Sequence, residues 1–308
     1  MTPAVRCGIH TPVVILLPGY SAPWEVDGTI ADIAKVAQAA EHFAYHHVTC
    51  SEHVVIPSDV AAVRGARYWD PLATFGYLSA VTTSIRLATN VLVLGYHHPL
   101  EIAKRYGTLD RVCNGRLILG LGVGSLKQEF DLLEVPFADR GHRADEALRA
   151  LRTSLSQRQP SFKGKYYRYS DMVVDPPALQ TRMPIWIGGR TARSLRRAVE
   201  FGDGWMPFGL SADQLGAMIS KIRGTPEWES RKQPLEVVLS NDHPFDPSGD
   251  PKGTVDQAEK LLVSGATMLQ LHLMHHSVGH YVEQLEAMAK LSIFESARPE
   301  RPDPPAVR

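Results

Sequence analysis

The chain has 308 residues, 44% hydrophobic and 21% charged, with 33 Lys and Arg balanced by 33 Asp and Glu. Zero formal net charge excludes a broad electrostatic footprint for nucleic acid, and no apolar run approaches the roughly 18 residues of a membrane span. Cys7, Cys50 and Cys113 form no C-x-x-C pair, which excludes a zinc ribbon or a thioredoxin-like motif and, with no signal peptide legible at the start, leads to the expectation of a cytoplasmic protein.

Short β-branched runs alternate with longer amphipathic segments along the chain. Val5 to Ile9 reads as the first strand. A helix follows over residues 28–43, where Ile30, Ile33, Ala34, Ala37 and Ala40 recur near helical spacing. His47 to Cys50 is the second strand, and residues 51–69 read as a long loop. Asp70-Pro71 opens a helix through Val81, with Asp as N-cap and Pro in the first turn. Residues 85–89 are the third strand, Pro99 starts a helix that stops at Asn114-Gly115, and residues 116–120 are the fourth strand. Helices are expected over residues 126–133 and 141–157, with a β-hairpin insertion over 161–178 between the second of these and the next strand. Strands over 184–187, 204–206, 235–240 and 267–273 then alternate with helices over 191–201, 211–223, 255–264 and 280–291. About eight strand–helix units in one chain predict an α/β fold with a parallel sheet closed into a TIM (β/α)8 barrel. Residues 1–297 are read as one domain, followed by a Pro-rich tail, 298–308, expected to be disordered.

Three features carry chemistry. Gly120, Gly122 and Gly124 alternate at the end of the fourth strand in LILGLGVGS. They read either as backbone that approaches a flat ligand closely or as a tight barrel turn. The order does not match the G-x-G-x-x-G dinucleotide fingerprint, because Ser125 stands in its way. Gly188-Gly189 follow the fifth strand and precede a helix start, a geometry that binds anions, with Arg190 as an added charge; a plain turn is the competing reading. His53, preceded by Glu52, lies just beyond the second strand, where a His can do acid–base work or merely pack. The pairs His46-His47, His97-His98 and His275-His276 lack H-x-H and H-E-x-x-H spacing, so no metal site is expected. G-x-S-x-G and Walker A motifs are absent.

The order of motifs in residues 70–152, with T-N-V, L-D-x-x-x-x-G-R-L, the glycine cluster and R-G-x-R-x-D-E, followed by I-G-G and G-D-G-W in residues 184–209, resembles the luciferase-like monooxygenase superfamily. Within it, the chain looks most like the actinobacterial branch of coenzyme F420-dependent oxidoreductases. The resemblance covers about residues 5–295. It implies a TIM barrel with a cis peptide at Asn90-Val91 supporting the deazaflavin ring. It also implies that Glu52 contacts the cofactor, that His53 is catalytic, and that Gly188-Gly189 bind cofactor phosphate. The expected site is therefore Glu52 and His53 for catalysis, with Glu52, Asn90, Val91, Gly122, Gly124, Ser125, Gly188, Gly189 and Arg190 around the cofactor. Two departures stand out: Pro57 replaces a Trp, and Ser125 replaces a catalytic Glu of the sugar-phosphate dehydrogenases of the family, so glucose 6-phosphate is not the expected substrate. The implied activity is hydride transfer between F420 and a small organic substrate, in a chain that pairs as a homodimer. The alternatives are an FMN-dependent monooxygenase acting with reduced flavin and O2, and a cofactor-binding protein without turnover.

Overall fold

A computed structural model describes residues 4–296. Eight parallel strands form the barrel: β1 (Val5–Ile9), β2 (His47–Cys50), β3 (Arg86–Thr89), β4 (Leu117–Gly122), β5 (Ile185–Gly188), β6 (Gly204–Met206), β7 (Glu236–Ser240) and β8 (Met268–Leu271). Each pairs with the next, and β8 closes on β1 with Arg6 opposite Met268 and Ile9 opposite Leu271. Most strand residues are buried, as a parallel sheet covered on both faces requires. Ala88, Ile118, Trp186, Met206, Val238 and Met268 pack together in one interior cluster. The larger core cluster joins the strands to the surrounding helices. All eight strands occur where the sequence pattern predicts them, although β4 runs two residues further, through Gly122. Residues 85 and 116 fall outside the strands, and the Arg116 guanidinium instead binds the carbonyls of Ser79, Thr82, Ile85 and Cys113.

The helix starts follow local capping chemistry. Asp70 accepts from the Ala73 amide at 2.9 Å, with Pro71 opening the helix Pro71–Val81. The same device operates at Asp250-Pro251, where Asp250 accepts from Gly253 at 2.9 Å. The helix Pro251–Val263 therefore begins a turn before the predicted residue 255. The expected loop over residues 51–69 contains the helix Ser58–Arg64, which buries none of its residues. It has no apolar stripe for periodicity to detect. The hairpin insertion pairs Phe162–Lys163 with Arg168–Tyr169. Its turn is held by Glu146, whose carboxylate accepts from the amides of Lys165, Tyr166 and Tyr167 at 2.6–2.8 Å. The predicted tail, 298–308, lies outside the described residues.

Candidate active site at the carboxyl rim

In an α/β barrel the strand C-termini and the loops that follow them form the functional mouth. After β3 the Asn90-Val91 peptide is cis, as the family resemblance implied. The Asn90 amide donates to the Cys50 carbonyl at 2.8 Å, the Ser51 hydroxyl donates to the Asn90 carbonyl, and the Glu52 amide donates to the Val91 carbonyl at 3.3 Å. The chain then joins β4 as the short strand Leu92–Val93, opposite Leu121 and Gly122.

Val91 is half-buried and occupies the space that two glycines leave open. A Cβ on Gly122 would lie 2.6 Å from Val91 Cγ2, and one on Gly188 would lie 2.6 Å from Val91 Cγ1. A Cβ on Gly124 would meet Phe130 at 2.5 Å and Val93 at 2.8 Å, and one on Gly120 would run into the Thr89 carbonyl. The clearance at these glycines is occupied by Val91, Val93, Phe130 and the β3 backbone.

Two carboxylates organise the loops beside Val91. Glu52 is buried; Oε2 accepts from the Val93 amide at 2.7 Å and Oε1 contacts His97 Nε2 at 2.7 Å. Burial alone would lower the basicity of His97, but the Glu52 hydrogen bond and the charges of Glu52 and Glu101 outweigh it and raise its pKa. Glu129, with no exposed surface, stands in the first turn of the helix Lys127–Leu132. Its Oε2 meets His53 Nδ1 at 2.7 Å and accepts from the Tyr96 hydroxyl, while Oε1 accepts from the amides of Val54 at 2.6 Å and Val55 at 3.2 Å. Burial would raise this carboxyl, but the hydrogen bonds from His53 and Tyr96 prevail and hold it below the ordinary carboxylate range. The sequence reading missed Glu129. Its partner His53 is 76 positions away, and the one clue was an acid in the first turn after the glycine strand.

Gly188-Gly189 lie beside this floor. Gly189 has φ +117°, and its carbonyl accepts from Ser194 Oγ at 2.8 Å and Trp205 Nε1 at 3.1 Å. Thr191 caps the helix Ala192–Phe201 by accepting from the Ser194 amide. The amides of Ala192 and Arg193, in the first turn, have no acceptor within the helix. Arg190 and Arg193 are exposed here, with the Arg190 guanidinium 5.9 Å from the Phe208 ring centre. Ser125 is exposed and receives a 3.4 Å hydrogen bond from Arg64, which ties the end of the helix Ser58–Arg64 to the glycine loop.

Across the mouth, His10 follows β1 and His272 follows β8. His10 Nε2 lies 3.2 Å from Ser240 Oγ, and the Tyr20 ring stacks on His272 with centroids 3.7 Å apart. Burial, aided by the other histidines, pushes His10 down to about 3, and burial pushes His272 down to about 4, so both are neutral at pH 7. These residues were legible only as strand-end positions. Tyr20 lies in the loop between β1 and the first helix. The His pairs divide their tasks: His46 and His47 bring their Nδ1 atoms to 3.0 Å, His98 accepts from the Leu100 amide, and His276 stacks on His280. Among the described residues, no three His, Cys, Asp or Glu side chains converge as a metal site. No helix among them is long and apolar enough to cross a membrane.

Comparison with known proteins agrees with this architecture. An uncharacterized protein of Mycobacterium tuberculosis, Rv0940c, is 28% identical over 244 residues, covering 75% of this chain and 81% of that protein. The F420-dependent hydroxymycolic acid dehydrogenase of the same organism is 29% identical over 174 residues, 55% of this chain and 47% of that enzyme. The crystal structure of an F420-dependent secondary alcohol dehydrogenase in complex with an F420-acetone adduct superposes with a TM-score of 0.73 at 15% identity, covering 96% of this chain and 99% of that one. The family model for luciferase-like monooxygenases matches residues 11–242, and the chain belongs to that family.

Proposed function

We propose that this protein is an F420-dependent oxidoreductase acting on a small organic substrate. The observation that carries the reading is His53, fastened through Nδ1 to the buried Glu129 at 2.7 Å beside a floor made by Val91. A proton-handling group held at the rim is what a hydride reaction needs from its protein, since the electron chemistry belongs to the cofactor. The relationship to the hydroxymycolic acid dehydrogenase, whose name states F420 dependence, supports the same cofactor.

The residues fit such a group. Gly188 and Gly189 present backbone without side chains at the end of β5, and Gly189 holds a φ that glycine tolerates. Arg190, Arg193 and the first-turn amides of Ala192 and Arg193 would hold the cofactor's phosphate. Asn90 and Val91, supported by Gly122 and Gly124, would lie under its ring, with Ser125 and Arg64 at the edge. When bound, the deazaflavin supplies a two-electron hydride carrier. In this reading His53 is the catalytic residue that exchanges a proton with the substrate. Glu52, read from the sequence as catalytic and cofactor-binding, has both oxygens engaged by Val93 and His97 and acts through the loop that it fixes. Water exclusion falls to Tyr20, Tyr68 and the helix Ser58–Arg64.

A second reading, an FMN-dependent monooxygenase, is favoured by the description of the matching family. Titration of the purified chain with F420, FMN and reduced FMN separates the two. Selective micromolar binding of F420, kept in H53A while turnover is lost, is the expected result. Binding of FMN with no affinity for F420 would overturn the proposal, and cofactor binding without effect of H53A on any turnover would remove His53 from it.

A further inference from the structure

We infer that Glu129 is a positioning residue that fixes His53 with its proton on Nδ1 and its lone pair on Nε2, so that His53 meets the substrate as a base and requires a hydroxyl there. The role in turnover rests on the function proposed above; the tautomer does not. Around Glu129 every other partner is a donor. The amides of Val54 and Val55 can only donate, and the Tyr96 hydroxyl donates to Oε2. An ionised carboxylate accepts and cannot donate, so the 2.7 Å contact with His53 requires the hydrogen to sit on Nδ1. Neutral imidazole carries one ring proton, and Nε2 is left as an acceptor. Among the described residues nothing hydrogen-bonds to that nitrogen. The His53 side chain keeps 18% of its surface exposed, with the Tyr68 ring edge-on at 4.5 Å. A carbonyl or ether oxygen offers Nε2 no hydrogen, whereas an alcohol does and could surrender its proton there as its carbon gives up hydride to the two-electron carrier of the proposed function. Glu129 thus provides a buried carboxylate in a chain whose glycine loop carries Ser125 at the position where related dehydrogenases are expected to carry an acid.

The tautomer can be read directly from cofactor-free protein. In uniformly 15N-histidine-labelled protein at pH 8, the His53 ring, assigned by its loss in H53Q, is expected to show a protonated Nδ1 and a bare Nε2. E129Q is the informative variant. Its amide oxygen can keep the Val54 and Val55 amides, which turns its NH2 toward His53 and Tyr96. The expected result is reversal to the Nε2-protonated form, with kcat lower by about 100-fold and F420 affinity within a factor of two. A wild-type spectrum with Nε2 protonated overturns the inference, as does E129Q with an unchanged tautomer. If E129Q does not fold, the wild-type spectrum alone decides. Failure of F420 to bind would remove the proposed function and leave the tautomer measurement intact.

Discussion

Replacing Gly188 with alanine tests whether Val91 is locked by the glycines around it. The new methyl would lie 2.6 Å from Val91 Cγ1, about 1 Å inside the ~3.5–4.0 Å at which carbon atoms rest against one another. Val91 has little room to withdraw. Its other methyl already fills the space above Gly122, where an added Cβ would also stand at 2.6 Å. The carbonyl of Val91 is tied to the Glu52 amide and the preceding Asn90 amide to Cys50. Overpacking of this kind costs about 1–3 kcal/mol. V91A removes both methyls and, because the side chain is only half-buried, should cost roughly 1 kcal/mol. In that background the alanine at 188 meets nothing of residue 91 closer than its Cβ at 3.7 Å, an ordinary contact. The double variant G188A/V91A is therefore expected to be about as stable as V91A alone, a coupling of roughly 1–3 kcal/mol. Urea denaturation of the four proteins with shared m-values measures it. If G188A costs the same with Val91 present or absent, the account of the floor is wrong.

Two further predictions concern the supports of the barrel. Asp203 accepts from Arg152 at 2.6 Å, Arg182 at 2.7 Å and the Ile185 amide at 2.9 Å. Burial would raise its carboxyl, but the guanidinium groups and the amide outweigh that and hold it below the ordinary aspartate range. A carboxyl lowered by folding stabilises above its unfolded pKa and loses that contribution as pH falls through the folded value. D203N is thus expected to be about 2 kcal/mol less stable at pH 7, with the gap to wild type closing as acid protonates the depressed Asp203 carboxyl; denaturation midpoints showing a gap independent of pH would refute this. E146A removes the acceptor for three hairpin amides, and exchange at residues 165–167 should rise about 10-fold or more. Unchanged hydrogen exchange there would show that the turn holds without it.

The barrel was legible because its strands are apolar on both faces and separated by capped helices, so strand positions and their order follow from the pattern. What escaped were elements with little burial of their own. The helix Ser58–Arg64 buries nothing, and the early start at Pro251 depended on a two-residue cap that was read at Asp70 and overlooked at Asp250. The site was half legible. Gly122 was read as a close approach or a tight turn and Gly188 as part of an anion-binding loop or a plain turn, but that the neighbour of both is Val91 is a property of three strands meeting and is written in no local stretch. Glu129 meets His53 across 76 positions of chain and Tyr96 across 33, so only folding brings the three together. Asp145 and Glu146, read as part of a family motif, bind Arg197 and the hairpin turn rather than the mouth.

The grip of Glu129 on two segments has a mechanical consequence. The loop after β2 and the one after β3 share a single buried charge, so neither can flex without dragging the other. An incoming molecule meets a surface already in its final shape, and the loss of freedom that a pliant wall would suffer on association is absorbed when the chain folds.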